Sequence, residues 1–285
     1  MRVQKKHLGV IGLDIDGTIT DDRRGLADEV ALFLEELHRR GFAIIFITGR
    51  EFVYAMEVLS KLAFPFYLGV QNGADLLAMP EKRLLKSVYL DKSILLELER
   101  QCEKIAEDLL VYAGFEKGDF CYYRPDKHPQ ELLPYLQAMQ KRSAGTWHAV
   151  QHFCECPQKV FPLIKAIGKE ASFLKLYEHF PLQHLVEYVV IKDPLNQKYD
   201  YLLVTDRKAS KKHALEYFMQ TYDLSRPLIV AGDDLNDKAS LEYADIRIVM
   251  ENAPSSLKNL ADIIAPLSIH QGIITGLKQA LDKLI

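Results

Sequence analysis

Two carboxylates one residue apart, in Leu13-Asp14-Ile15-Asp16-Gly17-Thr18, are the residues of this chain whose spacing most directly suggests chemistry. They follow an apolar run, Leu8 to Leu13, that reads as a strand, and they precede a glycine suited to a sharp turn. Side chains at i and i+2 of a strand share a side, so Asp14 and Asp16 can converge on one point as the chain turns. Like charges that close repel unless a cation or a proton lies between them. An Asp-Gly turn that only caps the next element uses the same residues, so the meaning of the pair depends on what else joins it.

Three further groups stand in comparable places. Thr48-Gly49-Arg50 follows the apolar run Phe42 to Ile47, Lys211 and Lys212 open a helical pattern, and Gly232-Asp233-Asp234-Leu235-Asn236-Asp237 follows the apolar run Pro227 to Ala231. Asp14, Asp16 and Asp233 together would form a hard, all-oxygen pocket that suits Mg2+ better than zinc or copper. Such an ion removes the repulsion and binds a phosphate oxygen, leaving one carboxylate to attack phosphorus. A second carboxylate would protonate the leaving alcohol and later deprotonate the water that completes hydrolysis. Phosphoryl transfer also needs donors for the equatorial oxygens, which the Thr48 hydroxyl, an ammonium at Lys211 or Lys212 and backbone N–H groups at the Gly17 turn would supply.

The elements that must position these groups alternate in type. Leu26, Val30, Phe33, Leu34 and Leu37 recur at helical spacing and Gly41 follows as a stop, between the strand before Asp14 and the strand before Thr48. A helix over 51–61 and a strand over 66–70 come next, ending at Gln71-Asn72-Gly73. After Asp200 the alternation resumes with a helix over 208–219, short strands over 227–231, 246–250 and 263–265, and a closing helix over 273–285. This is the pattern of a doubly wound parallel α/β sheet, whose ligands bind outside the carboxyl ends of the strands. Asp14, Thr48 and Asp233 all fall at such ends. Residues 81–200 differ: a long helical pattern over 91–110, aromatic runs at Phe120 to Tyr123, a helix over 130–140 and strand-like runs over 147–153 and 185–191 suggest an inserted α+β domain with helices on one face of an antiparallel sheet. The expected organisation is core 1–80, insert 81–200 and core 201–285.

Composition excludes several classes. Of 285 residues, 26% are charged and 48% hydrophobic, as in a folded globular chain, and the net charge of -3 offers no basic field for nucleic acid. No apolar stretch reaches the ~20 residues that cross a bilayer, and Met1 to Lys6 is not followed by a signal-peptide core. Four cysteines, with Cys154-Glu155-Cys156 near His152 lacking a second pair at zinc-like spacing, are expected to be reduced. A cytoplasmic protein, monomer or homodimer, with no nucleic-acid or membrane partner is the expectation.

The ordered set resembles the haloacid dehalogenase-like superfamily. Asp14-Ile15-Asp16-Gly17-Thr18 matches its first motif, Thr48-Gly49-Arg50 the second, Lys211 the third and Gly232 to Asp237 the fourth. The insert between the second and third motifs looks like the cap of the Cof-type branch. The resemblance implies a Rossmann-like core with a cap, Asp14 as nucleophile, Asp16 as general acid/base, and Thr48, Gly49, Lys211 and Asn236 as phosphate binders. It also implies Mg2+ held by Asp14, Asp16, Asp233 and Asp237. Where the branch has Lys-Gly-x-Ala-Leu, this chain has Lys211-Lys212-His213-Ala214-Leu215, which aligns Lys211 with the family lysine.

The function expected is a magnesium-dependent phosphatase acting on a small phosphorylated metabolite, a sugar phosphate first among them. In the cap, Arg124, Lys127 and His128 with Tyr122 and Tyr123 combine cations with stacking surfaces and are the candidate specificity residues. The alternative is a phosphomannomutase-like isomerase, whose similar first motif is followed by a basic residue, as Arg23 and Arg24 follow here; it would need convergent cap arginines from Arg83, Arg100, Arg124 and Arg142. A non-catalytic phosphate-binding regulator is the third reading.

Overall fold

Nearly every apolar run ahead of a motif becomes a buried strand. The computed structural model describes residues 7–21, 25–143, 146–193, 196 and 198–284. Arg23, Arg24, Met1 to Lys6, Pro194 and Leu195 therefore lie outside the described residues.

The first stretch of chain forms β1 (Gly9–Leu13), α1 (Asp28–Arg40), β2 (Phe42–Ile47), α2 (Phe52–Leu59), β3 (Phe66–Val70), β4 (Asp75–Met79) and β5 (Arg83–Ser87). The middle forms β6 (Leu90–Asp91), α3 (Lys92–Cys102), β7 (Leu109–Tyr112), β8 (Cys121–Tyr123), α4 (Leu133–Arg142), β9 (Trp147–Ala149), β10 (Val160–Phe161), β11 (Ile164–Gly168), α5 (Glu170–Glu178), β12 (Val186–Lys192) and β13 (Asp200–Asp206). The last stretch forms α6 (Lys211–Thr221), β14 (Leu228–Gly232), α7 (Lys238–Tyr243), β15 (Ile246–Met250), α8 (Ser255–Lys258), β16 (Ile263–Ala265) and α9 (Gly272–Asp282).

The core sheet runs β16-β15-β14-β1-β2-β3-β4-β5, parallel from β16 to β3 and antiparallel over its last two pairings. β1 and β2 are buried at every position, as parallel strands covered on both faces require. α1 buries Val30, Leu34 and Leu37, carries Asp28 and Glu29 in its first turn and stops at Gly41, whose φ of 107° suits a residue without Cβ. α1, α2 and α9 pack one face of the sheet, and α6, α7 and α8 the other. β1 has β2 on one side and β14 on the other, so the connections diverge there and open a crevice beyond their carboxyl ends. Asp14 is the first residue past β1, and Asp233 the first past β14.

A second sheet, β12-β13-β11-β7-β8-β9, belongs to the insert and is antiparallel except for the β8–β9 pair. Its borders differ from expectation. Arg83–Ser87 pairs with β4 in the core sheet and Asp200–Asp206 pairs with β11 and β12 in the cap sheet, so the cap runs from about 88 to 207. The helix expected over 91–110 ends at Cys102, because the apolar residues from Leu109 onward run continuously and join the sheet. β11 and α5 were not anticipated. Nor do the helices share one face: α3 and α5 cover one side, while Leu136 of α4 packs with Leu110, Tyr112 and Leu203 on the other. Among the described residues no helix is long and apolar enough to cross a membrane.

Candidate active site

Asp14 leaves β1 with its N–H bonded to the Ala231 carbonyl at 3.1 Å, which fixes the carboxylate relative to β14. Three residues on, Gly17 turns with φ 75°, and a Cβ there would lie 2.0 Å from Asp233 Oδ2. Glycine is thus needed both for the left-handed backbone and for the approach of the second acidic segment. Lys211 is the first residue of α6, whose N-terminus is capped by the Ser210 hydroxyl accepting the His213 N–H. Its ammonium donates to Asp14 Oδ1 at 2.5 Å and Asp237 Oδ1 at 2.7 Å. The other Asp237 oxygen accepts the N–H groups of Asp233 and Asp234, at 3.1 and 3.3 Å.

Oxygens of Asp14, Asp233 and Asp237 lie within 4.8 Å of one another. Three carboxylates share one ammonium, a charge deficit that a hard divalent cation matches in both sign and donor type. Burial pushes the Asp14 carboxyl up to about 7 against the pull of Lys211, with Asp237 and Asp16 adding to the rise. Burial, then Asp14 and Asp237, holds Asp233 well above the usual carboxylate value. For Lys211 burial works against the charge, but Asp14 and Asp237 outweigh it and hold the ammonium above the ordinary lysine value.

Asp16 takes a different course. Its carboxylate is gripped by Arg50 through Nε at 2.9 Å and Nη2 at 2.5 Å. Arg50 is 5% exposed, lies 3.9 Å over the Tyr54 ring and donates from Nη1 to the Tyr54 carbonyl. The Asp16 side chain therefore stays outside the Asp14–Asp233–Asp237 cluster, contrary to its expected place among the metal-binding carboxylates. An arginine at the carboxyl end of the neighbouring strand competes for it and offers a bidentate pair. Thr48 is fully buried, its Oγ1 accepting the Arg50 N–H at 3.1 Å, and it is not part of the cavity wall, whereas Gly49 is. Asn236 lines the cavity and donates to Asn72 Oδ1 at 3.2 Å. Lys212 turns away to Glu216, 3.3 Å off and one helical turn along, so Lys211 is the lysine at the site.

These groups open into a cavity of about 460 Å³ between the two sheets, a size suited to a small metabolite. Asp14, Asp16, Arg50, Asp233 and Asn236 line the core side; Tyr112, Trp147, Lys165, Ile191, Tyr201 and Leu203 line the cap side.

The sequence profile of the haloacid dehalogenase-like hydrolases matches residues 11–277, most of both core segments and all of the cap between them. The chain belongs to the haloacid dehalogenase-like hydrolases. It is 24% identical to "Phosphatase YwpJ" of Bacillus subtilis over 95% of this chain and 99% of that one. It is also 24% identical to "Pyridoxal phosphate phosphatase YbhA" of Escherichia coli over 90% and 92%. The solved subclass IIB sugar phosphatase BT4131 superposes with a TM-score of 0.77 at 17% identity, over 95% of this chain and 98% of that one, which shows the shared fold.

In this haloacid dehalogenase-like hydrolase the cap residues expected to meet substrate do not line the cavity. Arg124 is 7% exposed, bonded to Asp108 at 2.9 and 2.6 Å and to Glu99 at 2.5 Å, and lies over the Phe153 ring. Strand parity explains this: Cys121 of β8 points to the face shared with the cavity, while Tyr122, and with it Arg124, goes to the face under α3. His128 is buried on the same side, near Asp108 and Arg124, and burial lowers its pKa; Lys127 is exposed to solvent. The residues that do line the cap wall come from α4, β7, β9, β11, β12 and β13. The missed signal was a lysine inside the apolar run Phe161-Pro-Leu-Ile-Lys-Ala-Ile-Gly168. All four thiols are free, the carbonyls of Cys154 and Cys156 both accept from the Lys92 ammonium, and among the described residues the cysteines join no cluster of potential metal ligands.

Proposed function

We propose that this hydrolase is a Mg2+-dependent phosphatase that cleaves a small phosphorylated metabolite, a sugar phosphate first among the candidates, through an aspartyl-phosphate on Asp14. The observation that carries this is the buried Asp14 carboxylate held by Lys211 beside Asp233 and Asp237. Lys211 fixes one Asp14 oxygen and leaves the other to attack phosphorus, while its charge offsets that of the arriving phosphate. As the Asp14–phosphorus bond forms, the bond to the leaving oxygen breaks and Asp16, protonated and released from its pairing with Arg50 in that state, donates its proton to that oxygen. Asp16 then takes a proton from the water that attacks phosphorus and releases Asp14 and inorganic phosphate. Asp14, Asp233 and Asp237 would hold Mg2+, which when bound supplies Lewis-acid polarisation of the phosphate oxygens. Asn236 at the wall and Thr48 beneath it are the remaining candidates for fixing the phosphate.

The mutase reading gains nothing from the cap. Arg83 is exposed on β5 of the core sheet, Arg100 pairs with Glu97, and Arg124 is taken by Asp108 and Glu99, so none of these three lines the cavity to receive a second phosphate. With four free cysteines and acidic net charge, we place the enzyme in the cytoplasm, acting without a nucleic-acid or membrane partner. The test is phosphate release from sugar phosphates, nucleotides and an aryl phosphate with and without Mg2+, beside Asp14→Asn. Magnesium-dependent release that falls by at least about 10^3 in the variant is expected; equal release by both proteins overturns the role of Asp14.

A further inference from the structure

We propose that Lys165 is a substrate-recognition residue that selects phosphate monoesters carrying a second anionic group, a carboxylate or another phosphate, on the leaving portion. The inference rests on the phosphatase reading above and adds the chemistry of the far end of the substrate.

Lys165 is the second residue of β11, the third strand of the six-stranded cap sheet, in register with Leu203 on one side and Leu110 on the other. Its neighbours on the same face of the strand, Leu163 and Ile167, are fully apolar and buried. The side chain is 8% exposed and lines the cavity. Its ammonium lies 4.7 Å from the centre of the Tyr201 ring and 5.3 Å from that of Tyr112. Two ring faces cradle a cation without neutralising it, and among the described residues no carboxylate or carbonyl accepts a hydrogen bond from it.

The acids that face it are engaged elsewhere or stand off. Asp16 is bound by Arg50, and Asp193 accepts from the Tyr135 hydroxyl and the Asn196 N–H. Glu51 lies across the cavity on the core side. Burial pulls the Lys165 ammonium below the usual lysine value, while Glu51 and Asp193 pull it back. The result is a desolvated cation with donors directed into the cavity opposite Asp14. A ligand hydroxyl would satisfy one donor and leave the charge unpaired; a ligand anion satisfies both. The flanking tyrosines and Trp147 give the carbon skeleton between the two anionic ends an apolar wall.

Matched substrates test this directly. 6-Phosphogluconate and sorbitol 6-phosphate differ only by a carboxylate in place of a hydroxymethyl group, and fructose 1,6-bisphosphate differs from fructose 6-phosphate by one phosphate. The wild-type enzyme with Mg2+ is expected to favour the charged member of at least one pair by about tenfold or more in kcat/KM, chiefly through KM; which pair responds says whether the anion is carboxylate or phosphate. Lys165→Met should erase that gap while holding the uncharged member within about threefold, and Lys165→Arg should keep part of it. Equal use of both members by the wild type overturns the proposal, as does a Lys165→Met variant that weakens both members alike. If that variant does not fold, the wild-type ratios decide alone. No release from any ester, the aryl phosphate included, would bring down the phosphatase reading and this inference with it; release without preference brings down only the role of Lys165.

Discussion

Lys211 lies between Asp14 and Asp237 with 3% of its surface exposed, so a single ammonium offsets two buried carboxylates while a third, Asp233, stands beside them. Removing one partner of a buried ion pair leaves charge without compensation, at a cost of about 3–5 kcal/mol. Lys211→Met keeps most of the volume and removes the charge. It should lower stability by about 3 kcal/mol without Mg2+, read from urea denaturation, and lower kcat by about 10^2–10^3. Recovery of much of the lost stability by added Mg2+ is expected, since a divalent cation supplies the missing positive charge; a variant as stable as the wild type without metal would show that Lys211 does not hold the cluster together.

At the scale of elements, the cap is fastened to the core through a short segment and the N-terminus of α2. Phe115 packs edge-on against Phe52 with ring centres 4.6 Å apart, its N–H donates to Asp75, and Asp119 Oδ2 accepts the Val53 N–H at 3.2 Å. Among the described residues the second oxygen of Asp119 has no hydrogen-bond partner, and burial pushes its carboxyl up to about 7. The folded state thus holds a proton that the unfolded chain has already released near pH 4, so stability falls as pH rises between about 4 and 7 and is level above that. Asp119→Asn keeps an acceptor for the α2 amides and removes the titration. The difference in unfolding free energy between variant and wild type should grow in the variant's favour by on the order of 1–3 kcal/mol across that window. Denaturation curves at pH 4.5, 5.5, 6.5 and 7.5 measure it, and a constant difference would exclude Asp119 as a titrating group.

For the whole molecule, the proposed Mg2+ site would couple metal binding to folding, because Asp14 and Asp233 come together only when β1 and β14 pair. A ligand at about 100 times its Kd stabilises by about 2.7 kcal/mol. Mg2+ at that level should therefore raise Tm by several degrees over EDTA-treated protein. Asp233→Asn should lose most of that rise in a thermal scan, whereas Lys165→Met, on the opposite wall, should keep it. An unchanged Tm in Mg2+ would mean that the cluster does not bind the ion.

Local chemistry made much of this protein readable in the amino-acid order alone. The parallel strands of the core announce themselves because burial on both faces demands uninterrupted apolar residues, and β2, β3, β15 and β16 fall where those runs lie. The motifs at their ends follow, since an open parallel sheet gathers strand ends into one crevice. The cap was harder, because its short antiparallel strands alternate between two packed faces and a shift of one residue sends a side chain to the opposite side. That parity removed Arg124 from the cavity and placed Lys165 in it. Tertiary structure also turned Lys212 out to Glu216 and left at the site the Lys211 that the resemblance had aligned, and it alone gave the Asp16 carboxylate to Arg50. Each of these choices pits partners distant in sequence against one another, and spacing along the chain carries no information about which of them arrives first in space.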